Sequence, residues 1–209
     1  ADPLGDVNVS LLSPAVRRIV EDARQNPEAF WDRAARELPW FRTWDRVFDW
    51  DFPTFRWFVG GETNLAHSAL DHHVERGWGG HTAIVYFNER GERALVSYAL
   101  LLHQVTRAAA ALRGLGVQRG DRVTIYMPTS PEAIVLMLAC ARIGAIHSVV
   151  FAGFGAKALA DRIAASGSRL VFTADVSYRK GKDIRLKEIV DEALSAGDGG
   201  TGHVVVLRR

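Results

Sequence analysis

Two short stretches of this chain carry residue types whose spacing can do chemistry. The first, Phe151-Ala152-Gly153-Phe154-Gly155-Ala156-Lys157-Ala158, follows an apolar run and opens a helical pattern. Glycines there permit a sharp turn and close backbone approach, and a helix start offers unsatisfied N–H groups to an anion. Gly153-x-Gly155-x-x-Ala158, with Asp175 twenty residues beyond Gly155, also fits the spacing of a dinucleotide-binding turn. Three readings stay open on these residues: a structural turn, nicotinamide cofactor binding in an oxidoreductase, or another nucleotide contact. The second stretch, Tyr178-Arg179-Lys180-Gly181-Lys182, gathers three cations around one glycine. It reads as a loop able to give a phosphate charge-assisted bonds from a mobile backbone, or as a solvated basic loop.

Other patterns narrow the chemistry. GxxxxGK[ST], GxSxG and CxxC are missing, which disfavours a Walker-type NTPase, an elbow-type serine hydrolase and a thiol redox enzyme. His67 lies five and six positions from His72 and His73, so no HxxxH metal pair forms, and no metal site is expected. His147 sits inside an apolar strand pattern and reads as a core histidine. The single Cys140 reads as a small buried thiol, which fits a reducing cytoplasm. Over 209 residues, 26 Lys and Arg balance 24 Asp and Glu, so the whole molecule has little attraction for nucleic acid or anionic lipid. The longest apolar stretch, residues 133–141, is far short of the roughly 20 residues a bilayer span needs. Neither membrane spanning nor secretion is expected.

The elements that must position these stretches fall into two regimes. Residues 1–80 form a helical, aromatic-rich segment holding all six tryptophans, five of them before Gly60. Ser13-Pro14 and Asn26-Pro27 each place a capping side chain before a proline at the first helical position, which predicts helices over about 14–24 and 27–37. Residues 40–61 mix aromatic side chains with Asp, Arg and Pro and read as an irregular segment clamped by packing. Asn64 is expected to cap a third helix to Arg76, stopped by Gly77.

Residues 81–209 switch to short Val, Ile, Leu and Ala runs. A hairpin is expected over 83–96, and a helix capped by Ser97 runs to about 115. Strands follow at 122–127, 145–151, 169–173 and 203–207, separated by helices at 131–142, 155–166 and 183–195. Strands alternating with helices of this length require crossovers, which generate a parallel sheet with helices on its faces. The fold class is therefore α/β. Ligands in such sheets bind beyond the carboxyl ends of the strands, which directs attention to residues 127–130, 151–155 and 174–182.

Three longer runs carry a family resemblance. They are Gly120-Asp121-Arg122-Val123-Thr124-Ile125-Tyr126-Met127-Pro128, Pro131-Glu132-Ala133, and Met137-Leu138-Ala139-Cys140-Ala141-Arg142-Ile143-Gly144-Ala145-Ile146-His147-Ser148-Val149-Val150-Phe151. Together with Trp57-Phe58-Val59-Gly60-Gly61, Asn64-Leu65, Leu70-Asp71-His72-His73, Thr173-Ala174-Asp175 and Leu186-Lys187, the sequence resembles the AMP-forming acetyl-CoA and propionyl-CoA synthetases of the adenylate-forming superfamily. The resemblance runs from about Trp31 onward and implies the first α/β layers of that superfamily's large domain behind a helical lead segment.

It also implies a two-step ligase reaction. A short-chain carboxylate attacks ATP, accompanied by magnesium, to give an acyl-adenylate, and the thiol of coenzyme A then displaces AMP. By resemblance, Phe151 and Gly153 form the turn against which the adenine of coenzyme A rests. Arg179 and Lys182 hold its 3′-phosphorylated nucleotide end, with Ile184 as an apolar contact beside them. Lys182 stands where arginine is common, keeping the charge but losing the planar fork. Gly155-Ala156 replaces the usual Ser-Pro, removing a cap and a proline start. Ala99-Leu100 replaces a common Arg-Glu pair. The ATP-phosphate loop, the acyl pocket and the adenylation lysine of the family have no counterpart up to Arg209. The expectation is thus a scaffold and part of a coenzyme A site, with no catalytic residue in this chain and no activity of the chain alone. A non-catalytic binding module and the oxidoreductase built on Gly153, Gly155, Ala158 and Asp175 are the competing readings.

Overall fold

Apolar runs between residues 122 and 207 pair into one four-stranded parallel sheet in a computed structural model that describes residues 13–196 and 202–209. The chain divides into two compact units between Thr63 and Asn64, ahead of the composition change near residue 80.

In the first unit, helices α1 (Pro14–Gln25) and α2 (Pro27–Ala35) start as the capping pattern predicts. Ser13 Oγ accepts from the Val16 N–H, and Asn26 Oδ1 from the Ala29 N–H. Residues 40–61 are not irregular throughout: β1 (Arg46–Asp51) and β2 (Thr54–Val59) form an antiparallel hairpin. Its register opposes Phe48 to Trp57 and Trp50 to Phe55 on one face, and Asp49 to Arg56 on the other. The period-two alternation of Phe48-Asp49-Trp50-Asp51 was thus a strand signal hidden by large side chains on both partners. Trp44 closes the unit, donating its indole N–H to Asp32 at 2.9 Å and packing 4.8 Å from Phe58, centroid to centroid. Asp32 also takes two bonds from Arg36, whose guanidinium holds the Asp32 carboxyl below its usual range.

The second unit begins with Asn64, which does two jobs. Its Oδ1 accepts from the Ala66 and His67 N–H groups, and its Nδ2 donates to the carbonyls of Ala141 and Arg142. The helix it starts contains two π-helical segments, His67–Asp71 and Val74–Trp78, and its helical geometry breaks at Gly77, φ 85°, the residue expected to stop it. The hairpin β3 (Thr82–Phe87) and β4 (Arg93–Ser97) follows, and Ser97 caps α3 (Tyr98–Gly114) through the Leu100 N–H despite the Ala99-Leu100 replacement.

The sheet is built from β5 (Arg122–Tyr126), β6 (Ile146–Val149), β7 (Leu170–Ala174) and β10 (His203–Leu207), in the order β10-β7-β5-β6. Helix α4 (Pro131–Ile143) links β5 to β6, α5 (Ala156–Ser166) links β6 to β7, and α6 (Leu186–Ser195) lies between β7 and β10 in sequence. One core layer joins α3 and α4 to Val123, Ile125 and Leu170; the other joins α5 and α6 to Tyr126 and Val171. Burial on both faces goes with the nearly continuous apolar runs of β5 and β7, in which Thr124 and Thr173 are the buried polar exceptions. β6 and β10 are the edges of the sheet and are only partly covered, with Ile146 and Val149 each more than half exposed, although the apolar runs 146–151 and 204–207 read as strands covered on both faces. Cys140 is fully buried, and burial pushes its thiol up to about 11.

Two further expectations change. Residues 178–182 are not a loop, because β8 (Ser177–Arg179) and β9 (Lys182–Ile184) form a hairpin around Lys180 and Gly181. Both turn residues have positive φ, 51° and 72°, the geometry of a two-residue hairpin turn whose second position suits glycine. Asp183 therefore lies in β9, and the last helix starts at Leu186.

The π-containing helix is tied to α4 by a two-pronged ion pair: both Arg142 terminal nitrogens lie 2.7 Å from Asp71 oxygens, with both side chains largely buried. The Arg142 guanidinium holds the Asp71 carboxyl below its usual range. A depressed carboxyl contributes stability above the unfolded-state value near pH 4, and that contribution is lost as pH falls through the folded value. Asp71→Asn should cost about 2 kcal/mol at pH 7, because it removes a charge-assisted pair. Urea unfolding should show a lower midpoint for the variant at pH 7 and a shrinking gap to wild type below about pH 4.

Candidate functional site

The carboxyl ends of the strands converge on a cavity of about 580 Å³. Its wall takes Met127, Pro128, Thr129 and Ser130 after β5, Phe151 and Ala152 after β6, and Tyr178 and Arg179 after β7. Arg209, beyond β10, residues 86–89 of the β3–β4 hairpin, and Ala133, Ile134 and Met137 of α4 also line it. The connection from β5 leads to β6 on one side and the connection from β7 leads to β10 on the other, so this is where the strand order reverses.

The turn after β6 is held from below. Tyr126 is fully buried, and its hydroxyl donates to the Phe154 carbonyl at 2.6 Å, while the Phe154 N–H donates to the Phe151 carbonyl at 3.0 Å. Burial raises the Tyr126 phenol above its usual range, which keeps it a donor. Gly155 caps α5 without a side-chain bond, so the Tyr126 hydroxyl anchors the turn where a serine cap is missing. The turn presents Phe151 to solvent, 57% exposed and edge-on to Phe154 at 5.7 Å.

The β8–β9 hairpin supplies the charge. Its register opposes Ser177 to Ile184 and Arg179 to Lys182, so these four share one face, while Tyr178 and Asp183 share the other. Ser177 is buried and Ile184 packs against the second core layer, which turns that face inward at its base. Toward the turn the same face carries Arg179 and Lys182 as directly opposed like charges, an arrangement that is unfavourable until an anion lies between them.

The two turns meet. Arg179 lies over the Phe151 ring, its guanidinium carbon 5.1 Å from the centroid. A Cβ on Gly153 would fall 2.6 Å from Arg179 Nη1 and closer still to the Phe151 ring, so the missing side chain is what admits the guanidinium. Of the five residues expected from the sequence, Phe151 and Arg179 line the cavity, and Gly153 sits against both. Lys182 and Ile184 are not on the cavity wall and belong to the group through the hairpin pairing.

The oxidoreductase constellation does not assemble in the same way. Asp175 Oδ1 accepts from the Val176 N–H at 2.8 Å and from the Arg209 N–H at 3.1 Å, tying the ends of β7 and β10 together. A side chain at Gly155 would meet open space, so the fold itself does not require glycine there.

Sequence reasoning missed two contributors. Arg209 donates to the Tyr86 hydroxyl at 2.9 Å and lies 5.0 Å from the Tyr178 ring centroid. Arg90 lies 3.5 Å from that same centroid and pairs with Asp183 at 2.7 Å. Only the turn signal Asn88 to Gly91 marked the first hairpin, and nothing local linked it to residues ninety positions away. Among the described residues, no three His, Cys, Asp or Glu side chains gather as metal ligands, and no helix is long and apolar enough to cross a membrane.

This fold and its strand-end cavity carry a family signature. The AMP-binding enzyme family matches residues 70–207, and a second family, the acetyl-coenzyme A synthetase N-terminus, matches residues 16–69. The chain belongs to the AMP-binding enzyme family. It is 52% identical over 183 residues to the acetyl-coenzyme A synthetase of Deinococcus radiodurans, a match covering 88% of this chain and 28% of that protein. It is 48% identical to the acetyl-coenzyme A synthetase of Streptomyces avermitilis, covering 90% of this chain and 29% of that protein. Identity to the 3-hydroxypropionyl-coenzyme A synthetase of Metallosphaera sedula is 46%, over 90% of this chain and 29% of that protein. The chain thus spans under a third of the length of these relatives.

Removing the Tyr126 hydroxyl tests the anchoring of the turn. Tyr126→Phe should cost about 1 kcal/mol, the usual net value of one hydrogen bond. Hydrogen exchange should quicken at the amides of residues 153–155 and stay unchanged in β7.

Proposed function

We propose that the protein carrying this chain is an AMP-forming ligase. It activates a short-chain carboxylate, acetate or propionate, with ATP and passes the acyl group to coenzyme A. The 151–155 turn and the β8–β9 hairpin form part of its coenzyme A nucleotide site. What supports this most is the meeting of Arg179 with the vacant side-chain position of Gly153 over the Phe151 ring. That arrangement offers a base an exposed aromatic surface and offers a phosphate the Arg179–Lys182 pair.

The residues fit the ligand by charge and shape. Arg179 supplies a planar fork of donors, Lys182 a compact second charge, and Ile184 an apolar base beneath them. Bound coenzyme A supplies the thiol that accepts the acyl group. The part of this chain is to hold the nucleotide end, at the rim of the sheet, so that the thiol is correctly placed. Magnesium accompanying ATP and a cytoplasmic location belong to the same reading. The names of the relatives extend the carboxylate class to 3-hydroxypropionate. The engagement of Asp175 with two backbone amides favours this reading over a nicotinamide-dependent oxidoreductase.

Dephospho-coenzyme A lacks only the 3′-phosphate and isolates the proposed contact. In the full-length gene product, Arg179→Ala should raise KM for coenzyme A about tenfold, equivalent to one charge-assisted contact, and change KM for dephospho-coenzyme A by less than about twofold. Equal effects on both substrates, or none on either, would contradict the assignment. Gly153→Ala should displace the flexible ends of Arg179 and Phe151 without unfolding the sheet. The expected outcome is a raised KM for coenzyme A with an unchanged KM for ATP, measured by steady-state kinetics.

A further inference from the structure

The β8–β9 hairpin has three residues in each strand and, among the described residues, pairs with no other strand. A two-stranded hairpin of this size is marginal by itself. Two features weaken it further: Arg179 opposite Lys182, and a non-glycine residue, Lys180, at φ 51° in its turn. Something must hold it in strand geometry, or the two cations would not project from one face.

Its inner face is held at the base by Ser177 and Ile184. Its outer face, Tyr178 and Asp183, is gripped by a residue from a distant turn. Arg90, between β3 and β4, lies over the Tyr178 ring at 3.5 Å and donates to Asp183 Oδ1 at 2.7 Å. One guanidinium therefore touches both strands of the hairpin, at adjacent positions opposed across the ladder. From the same turn, Glu89 Oε2 accepts from the Gly181 N–H at 3.5 Å. Arg209 lies over Tyr178 as well, but its guanidinium donates to Tyr86 and its backbone N–H to Asp175. Arg90 is the one of the two arginines that bridges the two strands.

We propose that Arg90 is a positioning residue for the phosphate-binding cations, clamping Tyr178 and Asp183 on one face so that Arg179 and Lys182 stand together on the other. This rests on the coenzyme A reading above. Arg90 acts through the hairpin, so its loss should affect the discrimination of the 3′-phosphate and leave ATP and carboxylate use alone. A planar fork that both stacks and pairs is needed, so lysine should restore the ion pair but not the stacking.

The experiment compares Arg90→Ala, Arg90→Lys, Asp183→Asn, Arg179→Ala and the Arg90→Ala/Arg179→Ala double variant in the full-length gene product, with coenzyme A and dephospho-coenzyme A as alternative substrates. For Arg90→Ala, KM for coenzyme A should rise about fivefold, the order expected from one stacked and paired arginine, while kcat and KM for dephospho-coenzyme A stay within about twofold. Arg90→Lys and Asp183→Asn should fall between wild type and Arg90→Ala, and Arg90→Ala should add little to Arg179→Ala. The clamp is overturned if Arg179→Ala shows the selective effect and neither Arg90→Ala nor Asp183→Asn does. It is equally overturned if the Arg90 and Arg179 effects simply multiply, or if Arg90→Ala impairs both thiol substrates alike. If Arg179→Ala itself has no selective effect, the coenzyme A assignment fails first and the clamp falls with it. Should Arg90→Ala prove insoluble, Arg90→Lys and Asp183→Asn carry the same comparison.

Discussion

A two-residue hairpin turn forces Arg179 and Lys182 onto adjacent cross-strand positions, and the account of this chain depends on that enforced proximity of like charge. Two cations held side by side store an electrostatic cost that an anion relieves, and the relief grows as water is excluded. The neighbouring turn answers the charge in shape. Gly153 leaves room that Arg179 enters, and the Phe151 ring lies under the guanidinium as a flat, exposed surface. Neither turn alone specifies a ligand; a glycine turn and a basic hairpin are each common. Under the proposed reading, their contact suits a planar base beside a phosphate.

The parallel sheet makes that contact possible. Because β5, β6 and β7 are adjacent and parallel, the segments leaving their carboxyl ends must emerge on one side. Tyr126, at the end of β5, reaches up to fix the turn after β6. Asp175, at the end of β7, fixes the departure of the chain toward β8 and the arrival of Arg209. Deeper supports keep the layers in place, chiefly Asn64, which caps the start of one helix and bonds carbonyls in the last turn of α4, and the Asp71–Arg142 pair beside it. Substitutions in these supports should therefore reach the site through backbone placement and not through lost ligand contacts.

Much of the sheet was legible in the sequence because its signals are local. Ser97, Ser130-Pro131 and Gly144 punctuate helices whose ends the structure reproduces. Residues 40–61 were not legible, since Trp and Phe on both strands of β1–β2 masked the alternation that Asp49, Asp51 and Arg56 carry. Asp183 was read as a helix start, whereas it lies in β9 and its carboxylate pairs with Arg90 from a turn ninety-three residues earlier. The same limit applies at the site. Gly153, Arg179 and Lys182 were marked by motif and resemblance, but Arg90 and Arg209 act through contacts that no spacing along the chain encodes.

The most direct test is a crystal structure of the full-length gene product with adenosine 3′,5′-bisphosphate, the nucleotide end of coenzyme A. The account predicts the 3′-phosphate within hydrogen-bond reach of both Arg179 and Lys182, and the adenine lying against the 151–153 turn. A nucleotide whose ribose instead bonds Asp175, or whose phosphate lies away from the β8–β9 hairpin, would contradict it.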